Sequence, residues 1–76
     1  MNRHLLTPRE VQIAQLVAEG RTNSEIASLL QISRSTVKST LSNVMIKWNC
    51  ANRTQVGVAA VRRAESLPGS ALELSA

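Results

Sequence analysis

Aromatic side chains are almost absent from this sequence, since Trp48 is its single Trp and it contains no Phe or Tyr. The hydrophobic core must therefore consist of Leu, Ile, Val and Ala, a composition that suits small helices packed closely together. A chain of 76 residues has room for one domain only. Because a domain of this size buries only about 60% of the surface of its unfolded chain, we expect marginal stability that a partner or ligand would increase.

Residues for catalysis and metal binding are equally scarce. His4 is the only histidine, Cys50 is the only cysteine, and the five carboxylates are scattered along the chain. No metal-ligand spacing, nucleophile elbow or phosphate-binding loop occurs. A single cysteine also excludes an internal disulfide and is typical of a reducing compartment. The sequence therefore predicts a protein that is not an enzyme and has no cofactor or metal.

Long hydrophobic runs are missing as well. No apolar run approaches membrane-spanning length, and no signal-peptide pattern precedes the first predicted helix. A hydrophobic fraction of 43% with only 18% charged residues argues against disorder. We therefore expect a soluble cytoplasmic protein with no membrane partner.

Positive charge is concentrated in the middle of the chain. The net charge is +4, with a pI near 10.7. Residues 21–63 carry seven Lys or Arg against Glu25 alone, which gives +6, whereas residues 1–20 sum to zero and residues 64–76 contribute −2. This distribution indicates an anionic partner. The alternative, basic side chains that only solvate a helical surface, stays open on charge alone.

Residues 22–48 predict a short helix, a tight turn and a longer helix. Thr22 and Glu25 form a capping box at the start of the short helix. An apolar stripe follows it, formed by Ile26, Leu29 and Leu30. Ser33 then caps the longer helix, whose inward stripe consists of Val37, Leu41, Val44, Met45 and Trp48. Its outward face carries Ser35, Lys38, Ser39 and Ser42. Helix, turn and exposed polar helix together predict a helix-turn-helix that binds DNA.

One helix precedes this unit. Thr7, Pro8 and Glu10 predict its start, with a second capping box, and Gly20 predicts its end. The inward positions of this helix are Ile13, Ala14, Leu16 and Val17. We therefore expect an all-α fold, with a leader at 1–5, one domain at 6–67 and a frayed tail at 68–76.

A fourth helix is predicted over residues 53–66, with Asn52 as its cap. Its inward stripe consists of Val56, Ala59, Ala60, Ala64 and Leu67. Val58 and Val61 fall off this stripe, so they are either scattered surface valines or a contact with a second subunit. Gly57 costs about 1 kcal/mol relative to Ala inside a helix, unless a close backbone approach requires it.

The chain resembles the LuxR/GerE-type helix-turn-helix family. The matching segments are LTPRE (6–10), LVAEG (16–20), TNSEIASLLQIS (22–33), STVK (35–38), NVM-x-K (43–47) and NRTQ (52–55). The resemblance implies a four-helix, sequence-specific DNA-binding domain for transcriptional regulation. Its third helix, about 34–48, would enter the major groove, and its fourth helix would be the contact of a homodimer.

Site residues follow from this resemblance position by position. Thr36 would hold a phosphate, and Lys38, Ser39 and Ser42 would read base edges. Together with the phosphate-side candidates, the implied DNA-binding set is Asn23, Ser35, Thr36, Lys38, Ser39, Ser42, Lys47 and Arg53. Two structural alternatives stay open: Arg53 could instead tie helices three and four together, and Asn23 could only assist the cap of helix two. The implied dimer contact consists of Gln55, Val58, Ala59 and Arg62.

The sequence departs from the family at several positions. Thr40, Trp48 and Cys50 replace a common histidine, a leucine and an aliphatic residue, and we expect Trp48 to fill volume left by the smaller Cys50. Ile46 stands where a polar or basic residue is usual, so it is either an exposed contact to a partner or simply tolerated. Val56 and Gly57 replace the usual small-then-aliphatic pair, which weakens the dimer assignment.

A second reading is an interaction protein that pairs with a full-length regulator of the same family and inhibits it. The retained Thr36 and Lys38 favour DNA binding, because such an inhibitor would not need them. RNA polymerase and another family regulator are the further candidate partners. Met1 and the short leader favour a complete chain over a piece of a larger regulator.

Overall fold

Four helices follow one another in the computed structural model, which describes the backbone of residues 5–66 and the side chains of residues 5–63. The helices are α1 Pro8–Ala18, α2 Asn23–Leu30, α3 Arg34–Lys47 and α4 Arg53–Ser66. No strand occurs in this described region, which confirms the predicted all-α class. The rest of the predicted leader, the tail at 68–76 and the inward positions of Ala64 and Leu67 lie outside the described residues.

Each helix begins at a side chain that caps it. Thr7 and Glu10 form the capping box of α1, and Thr22 and Glu25 form that of α2. In α2 the Glu25 N–H donates to Thr22 Oγ1 at 3.1 Å and the Thr22 N–H donates to Glu25 Oε1 at 2.8 Å. Two further caps begin α3 and α4, formed by Ser33 and Asn52. These bonds satisfy N–H groups that have no partner within their helix, so the predicted helix starts are confirmed.

Residues with positive φ end three of the helices. Gly20 follows α1 with φ +87°, as its position in the sequence predicted. Gln31 and Asn49 follow α2 and α3 with φ 57° and 55°. Turns were predicted at both places, but the positive φ of these two residues was not, because both are non-glycine. Gln31 ends α2 after eight residues and thereby sets the turn before α3.

Aliphatic residues alone form the core, as the lack of aromatics predicted. Helix α1 packs on α3 and α4, α2 packs on α3, and α3 packs on α4. Trp48 is only partly buried at the edge of this core. Buried core positions come from all four helices: Ile13, Ala14, Val17, Ile26, Ala27, Val37, Leu41, Val44 and Val56. The helix-turn-helix is therefore supported from behind by α1 and α4.

The predicted inward position of Leu29 is wrong. Its side chain is 55% exposed, whereas Ile26 and Ala27 are buried. Ala27 lies about 100° around α2 from Ile26, on the side opposite to Leu29. The core therefore covers the side of α2 that carries Ala27, and the periodicity of the larger side chains pointed to the other side.

Helix α4 crosses α1 near Gly57. A Cβ atom added to Gly57 would lie 3.6 Å from the Cα atom of Ala18, which is an ordinary van der Waals contact. The crossing therefore does not require a glycine. Val56 next to it is buried, and Val58 and Val61 are exposed by 48% and 46%, as predicted from the stripe.

Candidate nucleic-acid interface

The N-terminal half of α3 presents a polar face to solvent. All four side chains predicted to face outward are exposed, namely Ser35, Lys38, Ser39 and Ser42. The opposite side of α3 is buried through Val37, Leu41 and Val44. Because three short hydroxyl side chains surround one long cation, a large polyanion can approach this helix closely. The predicted split between the two faces of α3 is therefore confirmed.

A cationic hollow of about 680 Å³ lies beside this face, where α2 and α3 begin. Its lining contains the cations of Arg21, Arg34, Lys38 and Arg53 and no carboxylate. Arg34 Nη1 donates to Ser24 Oγ at 3.3 Å, which joins the first turns of the two helices. The charges and the two helix N-termini all contribute positive potential at one place.

Arg21 and Arg34 are two members of this hollow that the sequence analysis did not select. Each lies next to a cap, since Arg21 precedes Thr22 and Arg34 follows Ser33. A cation at a helix N-terminus is electrostatically unfavourable, because that end of the helix already carries partial positive charge. Two such cations at neighbouring helix starts therefore indicate an anionic ligand, and this signal was available in the sequence.

Thr36 lies in the first turn of α3 and belongs to a short chain of hydroxyl groups. Ser33 Oγ accepts from the Thr36 N–H at 3.0 Å and lies 2.9 Å from Thr36 Oγ1. If the Ser33 hydroxyl donates to Thr36 Oγ1, the Thr36 hydroxyl hydrogen is available to an outside acceptor. The exposed Thr36 can then donate to a phosphate oxygen without loss of the cap.

Arg53 fastens the beginning of α4 to the connection between α1 and α2. Its guanidinium donates to Asn23 Oδ1 and to the carbonyl oxygen of Arg21. The structural alternative predicted that Arg53 ties helices three and four together. This partner is wrong, because Arg53 contacts the start of α2 instead of α3. Asn23 accepts this bond, whereas Thr22 and Glu25 form the cap of α2.

Lys47 at the other end of α3 is paired with Glu10 of α1. Lys47 Nζ lies 2.7 Å from Glu10 Oε1, and the Glu10 side chain is only 8% exposed. Burial alone would raise the pKa of Glu10, but hydrogen bonds from Lys47 and from the Thr7 N–H hold that pKa below its ordinary value of 4.5. Within the protein this predicted phosphate contact thus acts as a tie between α1 and α3.

A cation–π contact connects α3 to α4. The guanidinium carbon of Arg63 lies 4.4 Å from the centroid of the Trp48 ring. Trp48 is half-buried, and its carbonyl oxygen accepts from Cys50 Sγ at 3.8 Å. The side chain that replaces the leucine of the family thus helps to hold α4 in place.

The exposed side of α4 borders an apolar hollow of about 590 Å³ against α1. Val58, Val61 and Gly57 line it together with Val17 and Ala18 of α1, and the cations at its rim are Arg53 and Arg62. Two other predicted dimer residues lie elsewhere. Ala59 is half-buried, and Gln55 Oε1 accepts from the Ala51 N–H at 2.6 Å. The best-formed apolar surface of α4 is therefore the one around Val58 and Val61.

Other kinds of site find no support among the described residues. Their His, Cys, Asp and Glu side chains form no group of three that could hold a metal ion. No helix in this part of the chain combines the length and the apolar character that crossing a membrane requires. The basic face of α3 and the apolar hollow beside α4 are therefore the two surfaces to explain.

Comparison with known proteins also supports the predicted helix-turn-helix domain. Residues 4–60 match the family described as "Bacterial regulatory proteins, luxR family". The chain is 54% identical over 50 residues to the HTH-type quorum sensing-dependent transcriptional regulator VjbR of Brucella abortus, which covers 66% of this chain and 19% of VjbR. The matched family segment contains α1, α2, α3 and the first half of α4.

Two further relatives are transcriptional regulatory proteins. LiaR of Bacillus subtilis is 46% identical over 57 residues, or 75% of this chain and 27% of LiaR. DegU of Brevibacillus brevis is 41% identical over 59 residues, or 78% of this chain and 25% of DegU. The chain thus spans only about a fifth to a quarter of the length of these relatives. The predicted resemblance is confirmed: the chain belongs to the luxR family of bacterial regulatory proteins.

Proposed function

We propose that this chain binds double-stranded DNA in a sequence-specific manner and regulates transcription, with α3 in the major groove. The observation that carries the proposal is the exposed polar face of α3, which borders a hollow lined by four cations and no carboxylate. A helix of about 10–12 Å diameter matches a major groove of about 12 Å width. The proposal places this activity in the bacterial cytoplasm, where RNA polymerase is a candidate partner.

Base reading is assigned to Lys38, Ser39 and Ser42. Lys38 is exposed about one turn after the Ser33 cap, in the part of a recognition helix that reaches base edges. A long cationic donor is best matched to guanine, whose O6 and N7 are both acceptors in the major groove. Ser39 and Ser42 continue the same face and can donate to or accept from bases.

Phosphate binding is assigned to Thr36 and to residues that line the hollow. Thr36 offers its exposed hydroxyl, and the exposed side chains of Arg21, Arg34 and Ser35 line the hollow. Arg53 and Asn23 also line it and are joined by a hydrogen bond. Lys47 is a weaker candidate for phosphate binding because Glu10 already binds its ammonium group.

Salt dependence tests the proposal directly. If each subunit neutralises about three phosphates, a bound dimer should show a slope of about −5 in a plot of log affinity against log salt. Fluorescence anisotropy with labelled random duplex from low to moderate salt measures the slope. No binding at low salt, or affinity independent of salt, would refute DNA binding.

Selection from random duplex DNA tests sequence specificity. We expect an enriched inverted repeat, because two copies of the chain related by a two-fold axis would read the same half-site twice. The matched control is Lys38→Ala, since its stability should equal that of the natural chain. Failure to enrich any sequence would leave binding without specificity and refute the base-reading part.

Homodimerisation through α4 is the second part of the proposal. It rests on the apolar hollow with Val58 and Val61, which the same surface of a second subunit could cover. Val58→Glu should weaken binding to a duplex with two half-sites much more than binding to a single half-site. Equal losses on both duplexes would place Val58 outside any dimer contact.

The same apolar hollow also supports an alternative function. In this alternative the chain is an inhibitor that pairs with a full-length regulator of the same family. Such a protein would need the apolar surface of α4 but not the cations of α3. Lys38→Ala separates the two functions. Under the inhibitor hypothesis this variant keeps its full effect on a regulated promoter, whereas under our proposal it loses most of it.

A further inference from the structure

The position of Ile46 around the axis of α3 decides which surface of the helix it belongs to. At about 100° per residue, Ile46 lies within about 40° of Ser35, Ser39 and Ser42 around α3. It lies about 180° from Val37, whose side chain is fully buried. Ile46 therefore lies on the polar face of α3, one turn beyond Ser42 and about 80° around the helix from Lys38, and does not belong to the core side of the helix.

Exposure makes this position unusual. The side chain of Ile46 is 77% exposed, more than any other large apolar residue in the described part of the chain. The hollow next to it, of about 500 Å³, has a mixed lining, with Ser42 and Asn49 beside the less polar Met45, Cys50 and Ala51. The exposed valines of α4 line a different hollow. The surface around Ile46 is nevertheless small, and it falls short of the about 1,000 Å² of total contact that a stable protein partner would need.

A single apolar group does fit one feature of the major groove. Each thymine presents its C5 methyl group there, and apolar side chains contact this methyl. We propose that Ile46 is a specificity-determining residue that contacts a thymine methyl at the end of the site read by α3. This inference rests on the proposed insertion of α3 into the major groove.

The spacing between Lys38 and Ile46 along α3 predicts the position of this thymine in the site. Ile46 is eight residues from Lys38, which corresponds to about 12 Å along the helix axis. If α3 follows the groove, this distance equals about three to four base pairs. The selected half-site should therefore contain a preferred thymine about three to four base pairs from the position that Lys38→Ala makes indifferent.

Deoxyuridine tests the contact at the level of one methyl group. It pairs like thymidine but lacks the C5 methyl. The probes are the duplex enriched by the natural chain and copies of it with single thymidines replaced by deoxyuridine. Loss of one buried methyl should weaken binding of the natural chain by about fourfold at one position.

Ile46→Ala completes the test as a thermodynamic cycle. This variant should bind the thymidine duplex several-fold more weakly and lose nothing further on the deoxyuridine duplex, because the partner of the methyl is gone. Val11→Ala is the matched control, since it truncates an exposed apolar side chain on α1, outside the helix-turn-helix. It should leave the fourfold effect of deoxyuridine unchanged.

Each other outcome overturns the inference in a distinct way. Equal sensitivity of Ile46→Ala and the natural chain to deoxyuridine would assign the methyl contact to another residue. Normal affinity of Ile46→Ala on every duplex would remove Ile46 from the DNA interface. Absence of any DNA binding by the natural chain would refute the proposed function itself, and the inference with it.

Discussion

Lys38 and Lys47 are nine residues apart on the same helix, yet their surroundings differ completely. Lys38 is exposed beside a hollow that contains other cations and no carboxylate. Lys47 is half-buried and forms an ion pair of 2.7 Å with Glu10. The first ammonium group lies among charges of its own sign, which costs stability, whereas the second compensates a buried carboxylate. Lys38 is thus available to an external anion, whereas Lys47 stabilises the fold.

Arginine residues repeat this contrast. Arg53 donates to Asn23 and to a backbone carbonyl, and Arg63 lies over the Trp48 ring. Arg34 and Arg21 have exposed partners, Ser24 and Glu19, and stand beside helix N-termini, where their charge adds to that of the helix. Cations in positions that the helix N-termini disfavour indicate function even where an exposed neighbour binds them, and cations with partly buried partners indicate structure. The following predictions test this division.

Removal of the Lys47 ammonium group should have the largest effect. Lys47→Ala leaves the carboxylate of Glu10 buried without its cation, so we expect the free energy of unfolding to fall by about 2–3 kcal/mol. That is a large share of the stability of a small domain. Urea unfolding followed by Trp48 fluorescence measures it, and Lys38→Ala is the matched control with a change below about 0.5 kcal/mol. Similar losses in both variants would refute the division between the two lysines.

Acid should act through the same ion pair. The pKa of Glu10 in the folded protein lies below its ordinary value of 4.5, so its carboxylate stabilises the fold fully above that value. This contribution is lost as the pH falls through the folded pKa, because protonation removes the charge that Lys47 binds. Urea unfolding from about pH 7 to about pH 3 should show this loss in the natural chain. Lys47→Ala should lose less, and an equal acid loss in both would exclude the pair as its cause.

Lys38→Ala should change DNA recognition instead of stability. We expect a loss of about 1–3 kcal/mol on the preferred duplex and no remaining preference at one base pair. Site selection and anisotropy measure the two effects. Lys47→Ala, under conditions where it is folded, should keep the site preference and an affinity within about twofold of the natural chain. A selection profile of Lys38→Ala identical to that of the natural chain would show that Lys38 adds charge without reading a base.

Arg53→Lys tests a cation whose assignment was divided between structure and DNA. Lysine keeps the charge but cannot donate to Asn23 and the Arg21 carbonyl as one planar group. We expect stability to fall by about 1 kcal/mol, with most of the loss shared with Asn23→Ala in a double-mutant cycle. A coupling energy near zero would mean that the contact contributes nothing. An unchanged stability with weaker DNA binding would return Arg53 to the phosphate contacts.

The sequence was sufficient for the fold because local signals decide it. The caps at Thr7, Thr22, Ser33 and Asn52 and the stripe of α3 are readable from neighbours a few residues away. Leu29 was misplaced because the direction of the core is set by α3, which packs against the side that Ala27 occupies. Local spacing carries no information about that choice.

Pairings over long sequence distances were the other limit. Glu10 and Lys47 are separated by 37 positions, and Asn23 and Arg53 by 30. Their types and positions were known, but only the packing of the helices brings them into contact. Family resemblance therefore implied a DNA contact for each of Lys38, Lys47 and Arg53, with a structural alternative for Arg53 only. The structure divides this set by the partner of each cation.

Thr36 should give the smallest effect and the finest distinction at the functional end of α3. Thr36→Val keeps the branched shape and removes only the hydroxyl, so the Ser33 cap on the Thr36 N–H is retained. We expect DNA binding to weaken by about 0.5–1.5 kcal/mol on all sequences alike, since a phosphate is the same at every base pair. Thr36→Ser is the control and should restore most of the affinity. Anisotropy on the preferred duplex and on several single-base variants measures both. A changed ranking of these duplexes would move Thr36 to the base-reading group. An unchanged affinity would mean that the Thr36 hydroxyl bonds only to Ser33. Its role would then be structural, like that of Lys47 with Glu10.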